Sequence, residues 1–244
     1  MEQQNINKII LEVRAGAGGD EASIFAADLV GMYQRYAQKK GWKFLELDSS
    51  QSSLGGYKTF VGSLSGEGVY RALKNESGVH RVQRIPATEK NGRVHTSTAS
   101  VAILPFVEQS TVSINPADLE ISFFRSSGPG GQNVNKVETA VRIVHKPTGI
   151  VVSSQSERAQ NANREHAMSV LRSKLYEAMQ QQQASSVGAL RREQIGTMDR
   201  SEKIRTWNFP QDRITDHRIG KKWHNIPKIL GGDLDPIVNA FAHE

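Results

Sequence analysis

Residues Gly128-Pro129-Gly130-Gly131-Gln132 constrain this chain more than any other stretch. Three glycines and a proline in five positions exclude the interior of a helix or strand and require unusual φ/ψ values. β-prone segments flank the run, Ile121 to Phe124 before it and Val141 to Val144 after it. The glycines therefore sit on a connection between two strands. A Gly-Gly pair there offers amide N–H groups with no Cβ to block an approaching group, and Gln132 ends the run with a neutral amide. Taken alone, such a pentapeptide is a flexible turn; its surroundings decide whether it is more.

The rest of the chain reads as two modules, one of them discontinuous. Asn7 to Arg14 alternates like a strand, with Ile9, Leu11 and Val13 on one face. Asp20 to Lys40 is helical, with Phe25, Leu29, Met32, Tyr33 and Tyr36 at three- and four-residue spacing, and Gly41 stops it. Further strands are expected over Lys43–Leu47, Tyr57–Leu64, Val79–Ile85 and Arg93–Leu104, the last two joined as a hairpin through Pro86 and Asn91-Gly92. The pattern lapses over Pro105–Pro116, where a boundary is placed. Beyond it come a strand, the glycine loop and a hairpin turning at Pro147-Thr148-Gly149. A helix from about Arg158 to Gln183 follows, with Met168, Leu171, Leu175 and Met179 as its buried stripe.

Charge narrows the partners. The chain of 244 residues carries a net charge of +6 with a pI near 9.5, which fits a polyanionic partner. From Arg200 to Lys228 eight Lys/Arg face only Glu202, Asp212 and Asp216, and Trp207, Phe209, His217, Trp223 and His224 are interleaved among them. Cations neutralise phosphates while rings stack on unpaired bases; the plain alternative is a solvated basic face with buried tryptophans. Zero cysteines exclude disulfides, a cysteine nucleophile and cysteine-ligated zinc. No apolar run is long enough to span a membrane, and the polar start shows no secretory signal.

Gly16-Ala17-Gly18-Gly19 follows a strand and opens a helix, where a dinucleotide fingerprint would sit. The third glycine of that pattern is replaced by Glu21, and Asp20 and Glu21 put negative charge where a pyrophosphate needs positive potential. The same helix tip suits another use. Its free N–H donors and a nearby carboxylate acceptor could read the edge of a base; a well-capped N-terminus explains the residues equally well.

Around the pentapeptide, Arg125-Ser126-Ser127-Gly128-Pro129-Gly130-Gly131-Gln132-Asn133-Val134-Asn135-Lys136 closely resembles the Gly-Gly-Gln loop of class I peptide chain release factors and their rescue relatives. That family hydrolyses the ester joining a finished polypeptide to tRNA in the ribosome. Pro86-Ala87-Thr88 resembles the Pro-x-Thr tripeptide of the bacterial branch that reads UAA and UAG; the Ser-Pro-Phe of the UGA-reading branch is absent. The likeness continues through Arg14 to Ala22, Gly92 to Ser97, Asn208-Phe209-Pro210-Gln211 and Thr215 to Arg218, in the same order.

The resemblance implies an α+β fold: a codon-recognition superdomain, a mixed sheet with helices, plus an inserted α/β Gly-Gly-Gln hydrolysis domain. The expected division is 1–112 for codon recognition, 113–199 for hydrolysis, and 200–244 for a switch segment and a part packing back on the first domain. It implies that Gly18 and Glu21 face the first base, that Pro86, Ala87 and Thr88 form the reading tripeptide, that His95 stacks between the second and third bases, and that Gln83 and Thr96 bond the third. Gly130, Gly131 and Gln132 would be catalytic, the Gln132 N–H stabilising charge at the attacked ester, and Gln132 would be an N5-methylation site. Arg205 and Trp207, in a switch running from Arg191 to Phe209, would contact ribosomal RNA, with Gly196 lending freedom. Implied partners are the ribosome, through RNA of its decoding and peptidyl-transferase centres, the mRNA stop codon, the P-site peptidyl-tRNA, a glutamine methyltransferase and a recycling GTPase. No cofactor, metal or membrane is implied, and the location is cytoplasmic. Family members carry an N-terminal helical domain before the strand that begins near Asn7, and the sequence is expected to lack it. Two other readings stay open: a codon-independent ribosome-rescue hydrolase, and a non-catalytic ribosome-binding protein.

Overall fold

The computed structural model describes residues 6–86, 89, 92–106, 114–126, 137–197 and 199–241, apart from the side chain of residue 183. Two compact units result, one formed by Met1–Val107 with Val187–Glu244 and the other by Glu108–Ser186. The fold is α+β in both.

The first unit is built on an eight-stranded sheet. Its strands are β1 (Lys8–Ala15), β2 (Lys43–Gln51), β3 (Tyr57–Ser65), β4 (Gly78–Arg84), β5 (His95–Pro105), β9 (Lys203–Asn208), β10 (Arg213–Asp216) and β11 (Lys222–His224). They lie in the order β11-β10-β9-β4-β5-β1-β3-β2. All neighbours are antiparallel except β4 and β9, which are parallel. Helix α1 (Asp20–Lys39) covers one face, since its residues at three- and four-residue spacing form one apolar stripe. Phe25, Leu29, Met32, Tyr33 and Tyr36 pack there on Ile9, Leu11, Val13, Phe60, Val82, Val101, Trp207 and Ile214. Gly41, at φ +69°, ends the helix as its sequence predicts. Two short helices near the C-terminus, α4 (Ile226–Leu230) and α5 (Asp235–Val238), add Ile226, Ile229 and Ile237 to the same core; α2 (Val69–Leu73) adds Val69 and Leu73.

In the second unit β6 (Leu119–Phe124), β7 (Ala140–His145) and β8 (Ile150–Ser154) form an antiparallel sheet. Against it lies the first part of α3 (Gln160–Ile195), through Ala167, Leu171 and Leu175 on Val141, Ile143 and Val152. Met179, expected in that stripe, is 43% exposed, and α3 runs on to Ile195 rather than ending near Gln183. Polar residues surround this middle stretch, so no apolar periodicity marks where it stops. Gly196 does: at φ +59° its N–H bonds the Arg192 carbonyl, closing the helix instead of loosening a linker. The last turns of α3 belong to the first unit, where Val187 and Ile195 pack on Ile10, Ala102 and Leu104. Gln194 gives both ends of its amide to the backbone of Ile103, at 3.0 and 2.9 Å.

A buried ionic cluster ties α1 to segments that precede and follow the inserted unit in sequence. Arg205, on β9, grips both Glu76 oxygens at 2.6 and 3.0 Å and also reaches Asp216 of β10 at 3.1 Å. Tyr33 donates to Glu76 at 3.1 Å, and Arg218 donates to Asp216 at 2.7 Å. Burial opposes the charges of Glu76 and Asp216, but the guanidiniums of Arg205 and Arg218 hold both carboxyls below their ordinary range. Beside them His80 is fully buried, accepts from Trp207 Nε1 at 3.3 Å and bonds the Glu76 carbonyl at 2.9 Å. Burial and then the nearby Arg205 lower its pKa from 6.5 to about 4.

Two outcomes follow. Arg205→Ala leaves two buried carboxylates unpaired and is expected to cost about 3–5 kcal/mol in urea unfolding. For His80, the unfolded chain binds the proton more tightly between pH 6.5 and 4. Stability is therefore lost as pH falls through that window, by up to roughly 3 kcal/mol. Glu76 and Asp216 contribute to acid lability only below their ordinary values of 4.5 and 3.8. Unfolding free energy measured from pH 7 to 4 should fall steadily in the parent and stay flatter in His80→Gln, whose amide can donate and accept at the same sites.

Candidate nucleic-acid interface

One end of the first unit gathers the N-terminus of α1, the end of β4 and the start of β5. Backbone contact brings them together: Gly16 N–H bonds Thr98 O at 2.8 Å, and Ala17 N–H bonds Thr98 Oγ1 at 2.9 Å. The approach requires glycine. A Cβ on Gly18, whose φ is +132°, would lie 2.2 Å from Ser97 Oγ; one on Gly16 would lie 2.5 Å from Thr98 Oγ1. Gly19 occupies the N-cap and no side chain caps α1, so the first-turn amides point outward with the positive end of the helix dipole.

Glu21 is only 4% exposed. Its Oε1 accepts from Arg84 Nε at 2.5 Å, while Arg84 also bonds Asp28 at 2.7 Å. This corrects the expectation of a carboxylate turned toward a base: Arg84 holds one Glu21 oxygen, and the other is buried with no partner. Burial disfavours the charge on Arg84, yet Asp28 and Glu21 raise its pKa overall.

Across the hairpin Gln83 stands opposite Thr96 and Arg84 opposite His95. Asn208 Nδ2 donates to Gln83 Oε1 at 3.3 Å, and Phe209 N–H bonds the Gln83 carbonyl at 3.0 Å, so β9 fixes both the main chain and the amide of Gln83. His95 is 47% exposed and its Nε2 lies 2.7 Å from Glu89. Pro86 is buried and accepts from Glu89 N–H at 3.0 Å; Ala87 and Thr88 lie outside the described residues. Gly18, Glu21, Gln83, His95 and Thr96 thus converge at one end of one sheet.

Arg205 and Trp207 do not join them. Both are 0% exposed, Arg205 in the ionic cluster and Trp207 against Phe25 and His80 beneath α1. The expectation that they present a surface to RNA is corrected: β9 is an interior strand, and the α1-facing side chains of such a strand are covered. The segment from Arg191 to Phe209 is the end of α3, a short connection and β9, not an exposed switch.

Gly130, Gly131 and Gln132 lie outside the described residues, but the base of their loop is described. Phe124 pairs with Ala140, so the glycine run lies in the connection that joins these paired ends of β6 and β7. From α3, Gln160 donates to Glu138 O at 2.9 Å and Asn163 to Thr139 O at 2.9 Å. Asn163 is fully buried and spends its whole amide here, also bonding Glu157 O and N–H and Ser154 Oγ. Sequence reasoning overlooked Asn163, Arg84 and Asn208. The Ser-x-Ser-Glu-Arg run near Asn163 offered no periodicity, and the partners of Arg84 and Asn208 lie up to 125 positions away. Among the described residues no cluster of His, Asp and Glu could hold a metal ion. No helix there is long and apolar enough to cross a membrane.

Comparison with known proteins gives the family. The PCRF domain matches residues 1–101 and the RF-1 domain residues 108–218. Peptide chain release factor 1 of Caldicellulosiruptor saccharolyticus is 57% identical over 233 residues, covering 96% of this chain and 66% of its own length. The same factor of Chloroherpeton thalassium is 57% identical over 241 residues, covering 98% and 67%. RF2 of Thermus thermophilus superimposes with a TM-score of 0.59 at 35% identity, covering 98% of this chain and 68% of that one. The chain spans about two thirds of the length of the relatives it matches. It belongs to the peptide chain release factor family.

Gly18→Ala should destabilise the first unit by about 1–3 kcal/mol, from a strained φ and a clash with Ser97. Gly19→Ala, with open space around it, should cost less. Adding Ser97→Gly to Gly18→Ala should recover part of the loss in urea melts, the share due to the clash.

Proposed function

We propose that this chain is the decoding and hydrolytic part of a translation termination factor that reads UAA and UAG in the ribosomal A site and triggers hydrolysis of the peptidyl-tRNA ester. The observation that carries the reading is the convergence of Gly18, Gln83, His95 and Thr96 at one end of the first unit. In a decoding site each has work to do. The first-turn amides of α1 donate to the O4 and O2 acceptors of uridine; cytosine replaces O4 with an amino group, which would leave a donor facing a donor. Thr88, with Pro86 and Ala87 shaping the loop, accepts the second purine. His95 stacks between the second and third bases. Gln83, its oxygen held by Asn208, turns its NH2 toward N7, an acceptor that adenine and guanine share, and Thr96 completes the contact. The first unit, residues 1–107 and 187–244, would carry this reading and the second, 108–186, the hydrolysis.

For the ester, water attacks: the chain has no cysteine, Gly62-Ser63-Leu64-Ser65-Gly66 has leucine where a serine elbow carries its nucleophile, and no His-Glu-x-x-His zinc motif is present. The Gln132 N–H, aimed by Gly130 and Gly131, stabilises the charge that develops on oxygen. The glycines leave room for the loop beside the tRNA terminus. A neutral amide cannot take the proton at pH 7, so the water's proton passes to the departing 3′ oxygen with the help of the terminal ribose of the tRNA; the Gln132 side chain shapes access of water, and a methyltransferase would modify its nitrogen. A recycling GTPase would act on the same complex, in the cytoplasm.

Release of formyl-methionine from ribosomes carrying UAA, UAG, UGA or an empty A site tests the reading. Release on UAA and UAG alone is expected. Release without a codon would make the protein a rescue hydrolase, and binding without release a non-catalytic ribosome binder. Gly131→Ala should abolish release while codon-dependent binding persists, and Gln132→Ala, which keeps the N–H, should lose less.

A further inference from the structure

The sheet of the first unit has a second face, away from α1, and over β4, β9, β10 and β11 it is polar. Register places the side chains in rows across the strands. One row runs Thr98, Arg81, Thr206, Thr215, Lys222, and the next runs Thr96, Gln83, Asn208, Arg213, His224. Lys203, opposite Val79, stands on the same side. None of these positions carries a carboxylate. We propose that this face docks on the sugar-phosphate backbone of a double-helical RNA, which, if the termination reading holds, is a helix of ribosomal RNA beside the codon.

The state of the cations supports this. On the opposite face and at the tip, Arg84, Arg205 and Arg218 are all in ion pairs. Arg81, Lys203, Arg213 and Lys222 form no ion pair among the described residues, and the Nε atoms of Arg81 and Arg213 are buried without a hydrogen-bond partner. Desolvation alone lowers the Arg81 pKa, with no anion offsetting it. His217, bonded to Thr206 at 2.7 Å, reports the local field: after burial, Lys203 and Arg81 lower its pKa, and Asp216, itself paired with Arg205 and Arg218, opposes them less. Charges left together in this way lack a counter-charge, and phosphate supplies one.

The chemistry selects paired rather than unpaired RNA. Single strands are held by rings on which bases stack. Here the large rings are turned away: Trp207 and Trp223 stand opposite Ile214 on the α1 side, where both pack on the core, and the two imidazoles on this side are already held, His217 by Thr206 and His224 by the Asp212 carbonyl. What remains is cations with the Thr215 hydroxyl and Asn208 amide, groups suited to phosphate and 2′-OH contacts on a regular helix. Strands about 4.8 Å apart spread the cations across a width comparable to a backbone ridge. The row that ends in Thr96 and Gln83 makes the face continuous with the decoding tip.

The test is fluorescence anisotropy of the whole chain with an RNA duplex of about 16 base pairs containing no stop triplet, and with oligouridine of equal length, over a range of salt. The duplex should bind more tightly than oligouridine. The combined variant Arg81→Gln, Arg213→Gln, Lys222→Gln should bind the duplex at least about tenfold more weakly, its log Kd against log salt flattened by about one unit per charge removed. Arg81→Lys with Arg213→Lys should keep most of the slope, which separates lost charge from lost fold. An unchanged slope in the triple Gln variant, or equal binding of oligouridine, overturns the proposal. Formyl-methionine release run in parallel separates the two readings. A parent that fails to release on stop codons yet shows the charge-dependent duplex binding sinks the termination reading alone. A parent that releases normally while its duplex binding ignores these charges sinks this surface alone.

Discussion

Arg205 holds together a unit that the chain leaves and re-enters. Glu76 precedes the inserted unit in sequence and Asp216 follows it, and both carboxylates close on one buried guanidinium, with Tyr33 of α1 completing the cluster. Such a cluster adds little net stability over an apolar core, because desolvating the charges cancels most of their attraction. Its consequence is register. β9 lies parallel to β4 with a bulge between Val79 and His80, and a slip of one residue would turn Arg205 to the other face and strand two acids beneath α1. The pairing that brings Asn208 beside Gln83 inherits its position from that constraint.

The two faces of the same sheet then take opposite characters. Under α1 the strands present Ile, Leu, Val and Trp207; on the other side, toward β11, they present Thr, Gln, Asn, Arg and Lys. Antiparallel sheets allow this division because alternate side chains point to opposite faces. Gln83, His95 and Thr96 sit where the divided sheet meets the tip of α1, and glycines at 16 and 18 let helix and strand touch backbone to backbone. At the inserted unit a single buried side chain, Asn163, secures the foot of the glycine loop to α3. The described surroundings of both candidate sites are thus held by backbone-directed hydrogen bonds from rigid elements.

Much of the fold was legible where one face of an element is buried. β1, α1, β3 and the β4–β5 hairpin follow from periods of 2 and 3.6 in their apolar residues. Legibility fails where that contrast is missing. The middle of α3 is exposed all round, so its extent and the exposure of Met179 could not be read, and only Gly196 marks its end. Arg205 and Trp207 sit in a basic, ring-bearing segment that looks like a surface; their burial depends on Glu76, Asp216 and Phe25, which the local sequence does not contain. Glu21 was placed at the helix tip, but its pairing with Arg84 needed the strand 63 positions away.

By itself the sequence determined the chemical inventory: a glycine run between two strands, a helix tip opened by glycines, and no cysteine. It also determined which residues of each strand share a face, because alternation is a local property of extended backbone. Tertiary structure alone decided which of those faces is covered. Alternation cannot say on which side a helix will lie, and that choice sends Trp207 and Arg205 into the core while leaving Arg81, Arg213 and Lys222 together on the other side.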